Sequence, residues 1–285
     1  MDPEGRKSGR PESGLGKLLR HWREIRGKSQ FDLALDTGVS QRHISFIESG
    51  RSTPSRQKLM DIAEGLDVPL RERNMLLMAA GYAPIYSESA LDAPEMESIV
   101  KALKRVLRQH EPFPAVVMDR YWNVVMANDA APIFFGKFID IASRPSPRNL
   151  LHLIFDPDGM RHFIADWDAV SESLLARVYR ETIGGAVDEK TKELVGTLLS
   201  YASGDRGKAP KLTTLAPLLP MIPIAFVKDG RTLSYFSMIT TVGTPQTIAA
   251  QELRVECMYP ADDATEIQHI TLMRQSPRNW ESGSI

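Results

Sequence analysis

Apolar residues recur at three- and four-residue intervals through residues 15–81, and each run ends at glycine, proline or a small polar residue. That period collects them on one stripe of a helix and leaves the polar positions on the other side. Leu15, Leu18, Leu19, Trp22 and Ile25 define a first helix, with Ser13 as its cap. Ser29 and Asp32 form a capping box that opens a second. Gly38 supplies left-handed backbone for a sharp turn, after which Ser40 caps a third helix. Leu33, Thr37, Val39, Ile44 and Ile47 face inward between these two, and Ala34 is small where they cross. Thr53 and Pro54 start a fourth helix with Leu59, Ile62, Ala63 and Leu66 on its stripe. A fifth follows Pro69 and stops at Gly81.

The punctuated stretch G-Y-A-P-I-Y-S-E-S-A-L-D-A-P marks a boundary. Beyond it Met96, Ile99, Val100, Leu103, Val106 and Leu107 form the stripe of an amphipathic helix starting near Pro94. The period then shortens. Ala115 to Met118 reads as a strand, Asp119 and Arg120 as a tight turn, Trp122 to Met126 as a second strand, and Asn128 as the cap of a helix. Residues 148–201 are helical in pattern, with Asp158 capping M-R-H-F-I-A-D-W-D-A-V-S-E-S-L-L-A-R-V-Y-R and a further helix from Glu189 to Tyr201. T-L-S-Y-F-S-M-I-T-T-V, I-A-A-Q-E-L-R-V-E-C-M-Y and E-I-Q-H-I-T-L-M read as closing antiparallel strands, separated by Gly243, Pro245 and Pro260. The expected body is an α+β sheet with a helical insertion covering one face.

The chemistry sits first in the third helix. Gln41, Arg42, His43 and Ser45 remain on its outer side, at the end that would enter a major groove. Glutamine and arginine can each pair bidentately with a purine edge. Gln30, Arg51 and Arg23 are placed to grip phosphates. Five short helices with G-V-S-Q-R-H-I-S-F-I-E-S-G-R-S-T-P at the turn resemble the Xre-type, lambda-repressor-like helix-turn-helix domain over residues 13–81.

Charge agrees with that division. The chain has 285 residues, 42% of them hydrophobic, and a net charge of −1. Residues 1–60 carry +5, which leaves −6 for the remainder, as a DNA-binding head on a separate body would. A single cysteine, Cys257, excludes an intrachain disulfide and a cysteine-based zinc cluster. The longest apolar run, A-P-L-L-P-M-I-P-I-A-F-V, is broken by prolines, and the N-terminal residues lack a signal peptide's apolar core. Both point to a cytoplasmic protein without membrane insertion.

Other motifs carry less. D-P-D-G at Asp156 to Gly159 lacks the later ligands of a calcium loop, and S-G-D-R-G-K lacks the spacing of a phosphate loop. Ser55 and Lys58 match S-x-x-K but lie in a helix's first turn, and the six histidines show no metal-ligand pairing. No nucleophile stands with a base, so no catalytic residue, metal or cofactor is expected.

The repressor-like head, L-R-E-R-N-M-L-L-M-A-A-G-Y-A-P, the hairpin ending in M-A-N, and F-D-P-D-G-M-R-H-F-I-A-D-W with the A-R-V-Y-R helix together resemble the MmyB-like transcription regulators. The resemblance implies a one-component regulator whose PAS-like C-terminal domain binds a ligand. It divides the chain into an arm (1–12), a head (13–81), a linker (82–94), a PAS-like domain (95–275) and a tail (276–285). Residues 203–231 depart from the family's aromatic-rich pattern. Candidate lining for a small apolar or amphiphilic effector, such as a fatty acid, comprises Trp122, Phe134, Phe135, Phe155, Phe163, Trp167 and Phe236, with Arg148 and Arg177 for a carboxylate. Two other readings stay open: a ligand-free dimerisation or partner-binding module, and an enzyme domain. The expected assembly is a homodimer on a near-palindromic operator, with the helix from Glu95 to His110 as a contributor to the interface.

Overall fold

The computed structural model describes residues 14–183, 188–203 and 223–274. The arm, the tail, Ser13, most of S-G-D-R-G-K and the proline-rich stretch up to Ile222 lie outside the described residues. The residues up to Glu88 form one compact unit and most of the remainder a second.

Among the described residues the first unit contains five helices: α1 (Gly14–Ile25), α2 (Gln30–Thr37), α3 (Gln41–Glu48), α4 (Arg56–Gly65) and α5 (Leu70–Ala79). The apolar stripes meet in one core around Trp22, Leu33, Ile47, Leu59, Ile62, Leu66, Leu76 and Leu77. The capping box forms, with the Asp32 amide 3.1 Å from Ser29 Oγ and the Ser29 amide 2.9 Å from Asp32 Oδ2. Gly38 takes φ 65°, as the turn requires. The start of α4 differs from expectation. Ser55, not Thr53, caps it, accepting from the Lys58 amide at 3.4 Å, so Ser55 and Lys58 serve the helix end. Gly16 is where α1 meets α3, since a Cβ there would lie 2.3 Å from the Glu48 carbonyl oxygen.

Asn74, 6% exposed on α5, holds the chain that follows the helix. Its Oδ1 accepts from the Ile85 and Tyr86 amides at 3.0 and 3.1 Å, and its Nδ2 donates to the Tyr86 carbonyl at 2.8 Å. Asn74→Ala would leave three backbone groups without these partners. The expected loss in the head's unfolding free energy is about 1–3 kcal/mol, measurable by urea titration.

The second unit runs α6 (Glu97–Gln109), β1 (Ala115–Met118), β2 (Val124–Ala127), α7 (Ala130–Phe135), α8 (Leu150–Phe155), α9 (Trp167–Ile183), α10 (Glu189–Ser203), β3 (Pro223–Lys228), β4 (Arg231–Thr241), α11 (Ile248–Glu252), β5 (Arg254–Pro260) and α12 (Asp263–Arg274). Short 3₁₀ turns precede α6 and α9. The strands form one antiparallel sheet in the order β2-β1-β5-β4-β3, a PAS-like arrangement with helices between the second and third strands. Asp229 and Gly230, both with positive φ, make the tight turn of the β3–β4 hairpin.

Several expected elements are redrawn. Helices cover both faces of the sheet. Val116 and Met118 face the large core under the helical insertion, whereas Ala115 and Val117 face α6 and α11. The uninterrupted apolar run A-V-V-M of β1 reflects that double burial. The second strand starts at Val124, because Trp122 adopts φ 67° in a loop that Asp119 braces by accepting from the Tyr121 and Asn123 amides. The long helix expected from Met160 is interrupted by a bridge between Ile164 and Phe226 before α9. Residues 248–259 are a capped helical turn followed by a strand, with Thr247 accepting from the Ala250 amide. The last expected strand is α12, whose first turn is held by the Thr265 amide donating to Asp262 Oδ1 at 2.7 Å.

Asn128 does cap the start of α7, accepting from the Ala131 amide at 3.1 Å, and also binds the Ala115 amide at 3.0 Å. On α12, His269 is fully buried. Its Nε2 donates to the Pro112 carbonyl at 2.8 Å, so Nδ1 accepts from the Tyr235 hydroxyl at 2.7 Å. Burial holds this imidazole below the usual histidine value.

Candidate functional site

Two sites emerge, one in each unit. In the head, Ser40 caps α3 by accepting from the His43 amide at 3.3 Å, which fixes the helix end that carries the polar residues. Gln41, Arg42 and Arg51 are exposed, while Gln30, His43 and Ser45 are half-buried. Nε2 of His43 is buried with no hydrogen-bond partner among the described residues. The guanidinium groups of Arg42 and Arg51 lie 5.3 and 5.8 Å from the Phe46 ring centroid. Cation–π attraction thus gathers two cations beside the outer side of α3.

Glu48 holds this surface in place and was not singled out in the sequence. Only 1% exposed, it accepts from Arg23 Nε at 2.6 Å and Nη2 at 2.9 Å, and from Gln30 Nε2 at 2.9 Å. Arg20 lies 3.7 Å away, and the third Arg23 nitrogen donates to the Lys28 carbonyl. One carboxylate therefore ties α1 and α2 to the end of α3. Burial opposes its ionisation, but the hydrogen bonds from Arg23 and Gln30 and the nearby charges together hold it below the usual glutamate value. Arg23 and Gln30, expected at the phosphates, both point a donor at Glu48.

In the second unit two apolar cavities lie between the sheet and the helical insertion, with volumes of about 30 and 50 Å³. Val116, Phe135 and Leu150 line both. The larger has Arg148 on its wall, with Nε donating to the Ile141 carbonyl at 3.2 Å. The smaller has Phe236, Ser237 and Glu256. Of the nine residues proposed from the sequence, Phe135, Arg148 and Phe236 line these cavities. Phe134 is instead the hub of an aromatic cluster, its ring centroid 5.5 Å from those of Phe135 and Phe226 and 5.2 Å from those of Phe138 and Tyr235. Phe155 packs on Trp167 at 5.1 Å and Phe163 on Phe138 at 5.5 Å. Arg177 lies 4.2 Å above the Trp122 ring and contacts Glu181 and Glu256. Glu256 was missed, although a carboxylate inside the otherwise apolar run V-E-C-M-Y is a signal.

Among the described residues no group of His, Cys, Asp and Glu is placed to hold a metal ion, and no helix is long and apolar enough to cross a membrane.

Residues 19–73 match the helix-turn-helix family, and residues 99–269 match the MmyB-like transcription regulator ligand binding domain. No curated protein matches. Among solved structures the chain is similar to an RNA-binding light-oxygen-voltage receptor, at 12% identity over 92% of this chain and with a TM-score of 0.24. It spans 62% of that receptor's length.

Proposed function

The chain belongs to the MmyB-like transcription regulators, a non-catalytic architecture of helix-turn-helix head and PAS-like sensor, and on that footing we propose how each part works. The head (13–81) reads a near-palindromic operator as part of a homodimer in the cytoplasm. Gln41, Arg42 and Ser45 meet base edges with His43 beside them, and Arg51 and Gln30 meet phosphates. Arg23 acts by holding α3 through Glu48. The sensor (95–275) takes a small apolar or amphiphilic ligand, a fatty acid being the simplest of that class, and the linker (82–94) passes its state to the heads. An effector changes DNA affinity only through its differential affinity for two arrangements of the dimer.

The observation that carries the sensing role is the pair of apolar cavities with a cation on one wall. Their volumes hold about one to a few waters, whereas ligand pockets usually enclose about 300–1,000 Å³. A long acyl chain must therefore displace Phe135 and Leu150, the shared wall, as it enters. The same small volumes favour the second reading, a ligand-free dimerisation module.

Native mass spectrometry of the purified full-length protein separates the two. The sensor reading expects an extractable amphiphile, and a rise in Tm when fatty acid is returned to stripped protein. No bound species and no shift with any amphiphile would leave the partner module. Light scattering with operator tests assembly, with two protomers per site expected and one protomer per site excluding the dimer.

A further inference from the structure

The two cavities differ in the charge they offer a ligand. Arg148, beside the larger, has no carboxylate partner among the described residues, so an anionic group there would neutralise it. Glu256, beside the smaller, is 8% exposed and belongs to a closed cluster. Arg177 places Nη1 and Nη2 each 3.4 Å from Glu256 Oε2, and Nε 3.0 Å from Glu181 Oε1. Arg254 Nη1 lies 2.6 Å from Glu181 Oε2. Two arginines and two glutamates balance, so this end carries no net charge. Trp122, under the Arg177 guanidinium, and Glu181, beside it, fix the cation that anchors Glu256. Oε1 of Glu256 has no hydrogen-bond partner among the described residues, in an otherwise mostly apolar cavity. A ligand that fills this cavity would shut the acceptor away from water, which is costly unless the ligand brings a donor of its own.

We propose that Glu256 is a specificity residue of the sensor, and that the effector is a hydroxylated acyl acid. Its carboxylate pairs with Arg148, its chain displaces Phe135 and Leu150, and its hydroxyl donates to Glu256 Oε1. A hydroxyl fits better than an ammonium, because a cation would unbalance the neutral cluster in an apolar setting. The inference rests on the sensor reading above and narrows its ligand.

The test measures binding of dodecanoic acid and of its mid-chain and terminally hydroxylated forms to stripped full-length protein by calorimetry. At least one hydroxylated form should bind about ten- to a hundredfold more tightly than dodecanoic acid, the range for one hydrogen bond to a charged group. In Glu256→Met that preference should fall to within about twofold while dodecanoic acid still binds. The isosteric Glu256→Gln, which keeps an acceptor oxygen, should retain part of the preference and serves if the methionine variant does not fold. Equal binding of all the acids by the wild type would overturn the proposal and leave the sensor reading standing. An undiminished preference in both variants would also overturn it. If no acid binds, the sensor reading falls and the proposal with it.

Discussion

Glu48→Ala should destabilise the head by about 3–5 kcal/mol, the usual consequence of removing one partner from a buried ion pair. The guanidinium of Arg23, 13% exposed, would lose both of its contacts to the carboxylate, and Gln30 would lose its acceptor. Denaturant titration of the full-length protein should show an early transition for the variant, with the sensor's transition unmoved. Acid adds a second signature. The folded Glu48 ionises more readily than the unfolded one, so its stabilisation is complete above the usual glutamate value. It is lost as pH falls through the lowered folded value. Glu48→Gln should flatten that acid-side decline. A variant with wild-type stability at neutral pH would mean that the pair contributes nothing to holding α3.

Phe134→Ala should cost the sensor about 3–5 kcal/mol, because the ring is fully buried and touches aromatic neighbours on α7, β3 and β4. Its neighbour Phe135 should behave differently. It lines both cavities, so Phe135→Ala joins them into a larger space. The lower Tm of that variant should be restored more by an added amphiphile than the Tm of Phe134→Ala is. Paired thermal melts with and without dodecanoic acid check this. Equal rescue of the two variants would separate the cavities from ligand uptake.

What was legible in the sequence was what local chemistry specifies. Ser29 with Asp32, Gly38, Ser40 and the inward Leu33, Val39, Ile44 and Ile47 each act within a few residues of themselves, so the head could be read directly. The fourth helix was misplaced at its start because Thr53-Pro54 is as good a local signal as Ser55. In the sensor the signals conflict. Helix α12 hides its nature: Thr265 and His269 are buried, while Ile267 is 66% exposed, so its apolar residues do not mark its inner face. Strand β3 lay within a segment set aside as proline-rich, although Asp229-Gly230 at its end is a strong hairpin signal. Residues such as Phe134 and Trp167 were named for a cavity because size and burial look alike in a sequence. Only long-range packing separates a ring that lines a space from one that fills it. Glu48 and Glu256 take their roles from arginines far along the chain, Arg23 and Arg177.

The central claim is that α3 reads bases while the residues around it hold phosphates. Binding-site selection from random duplexes, run with wild type, Gln41→Ala and Arg51→Ala, tests it most directly. Wild type should enrich two half-sites about one helical turn apart. Gln41→Ala should lose preference at one position of each half-site, worth about 1–3 kcal/mol of discrimination. Arg51→Ala should keep the selected sequence, bind all sites more weakly and lower the salt slope by about 1. An unchanged sequence preference in Gln41→Ala would contradict the assignment of α3 as the reading helix.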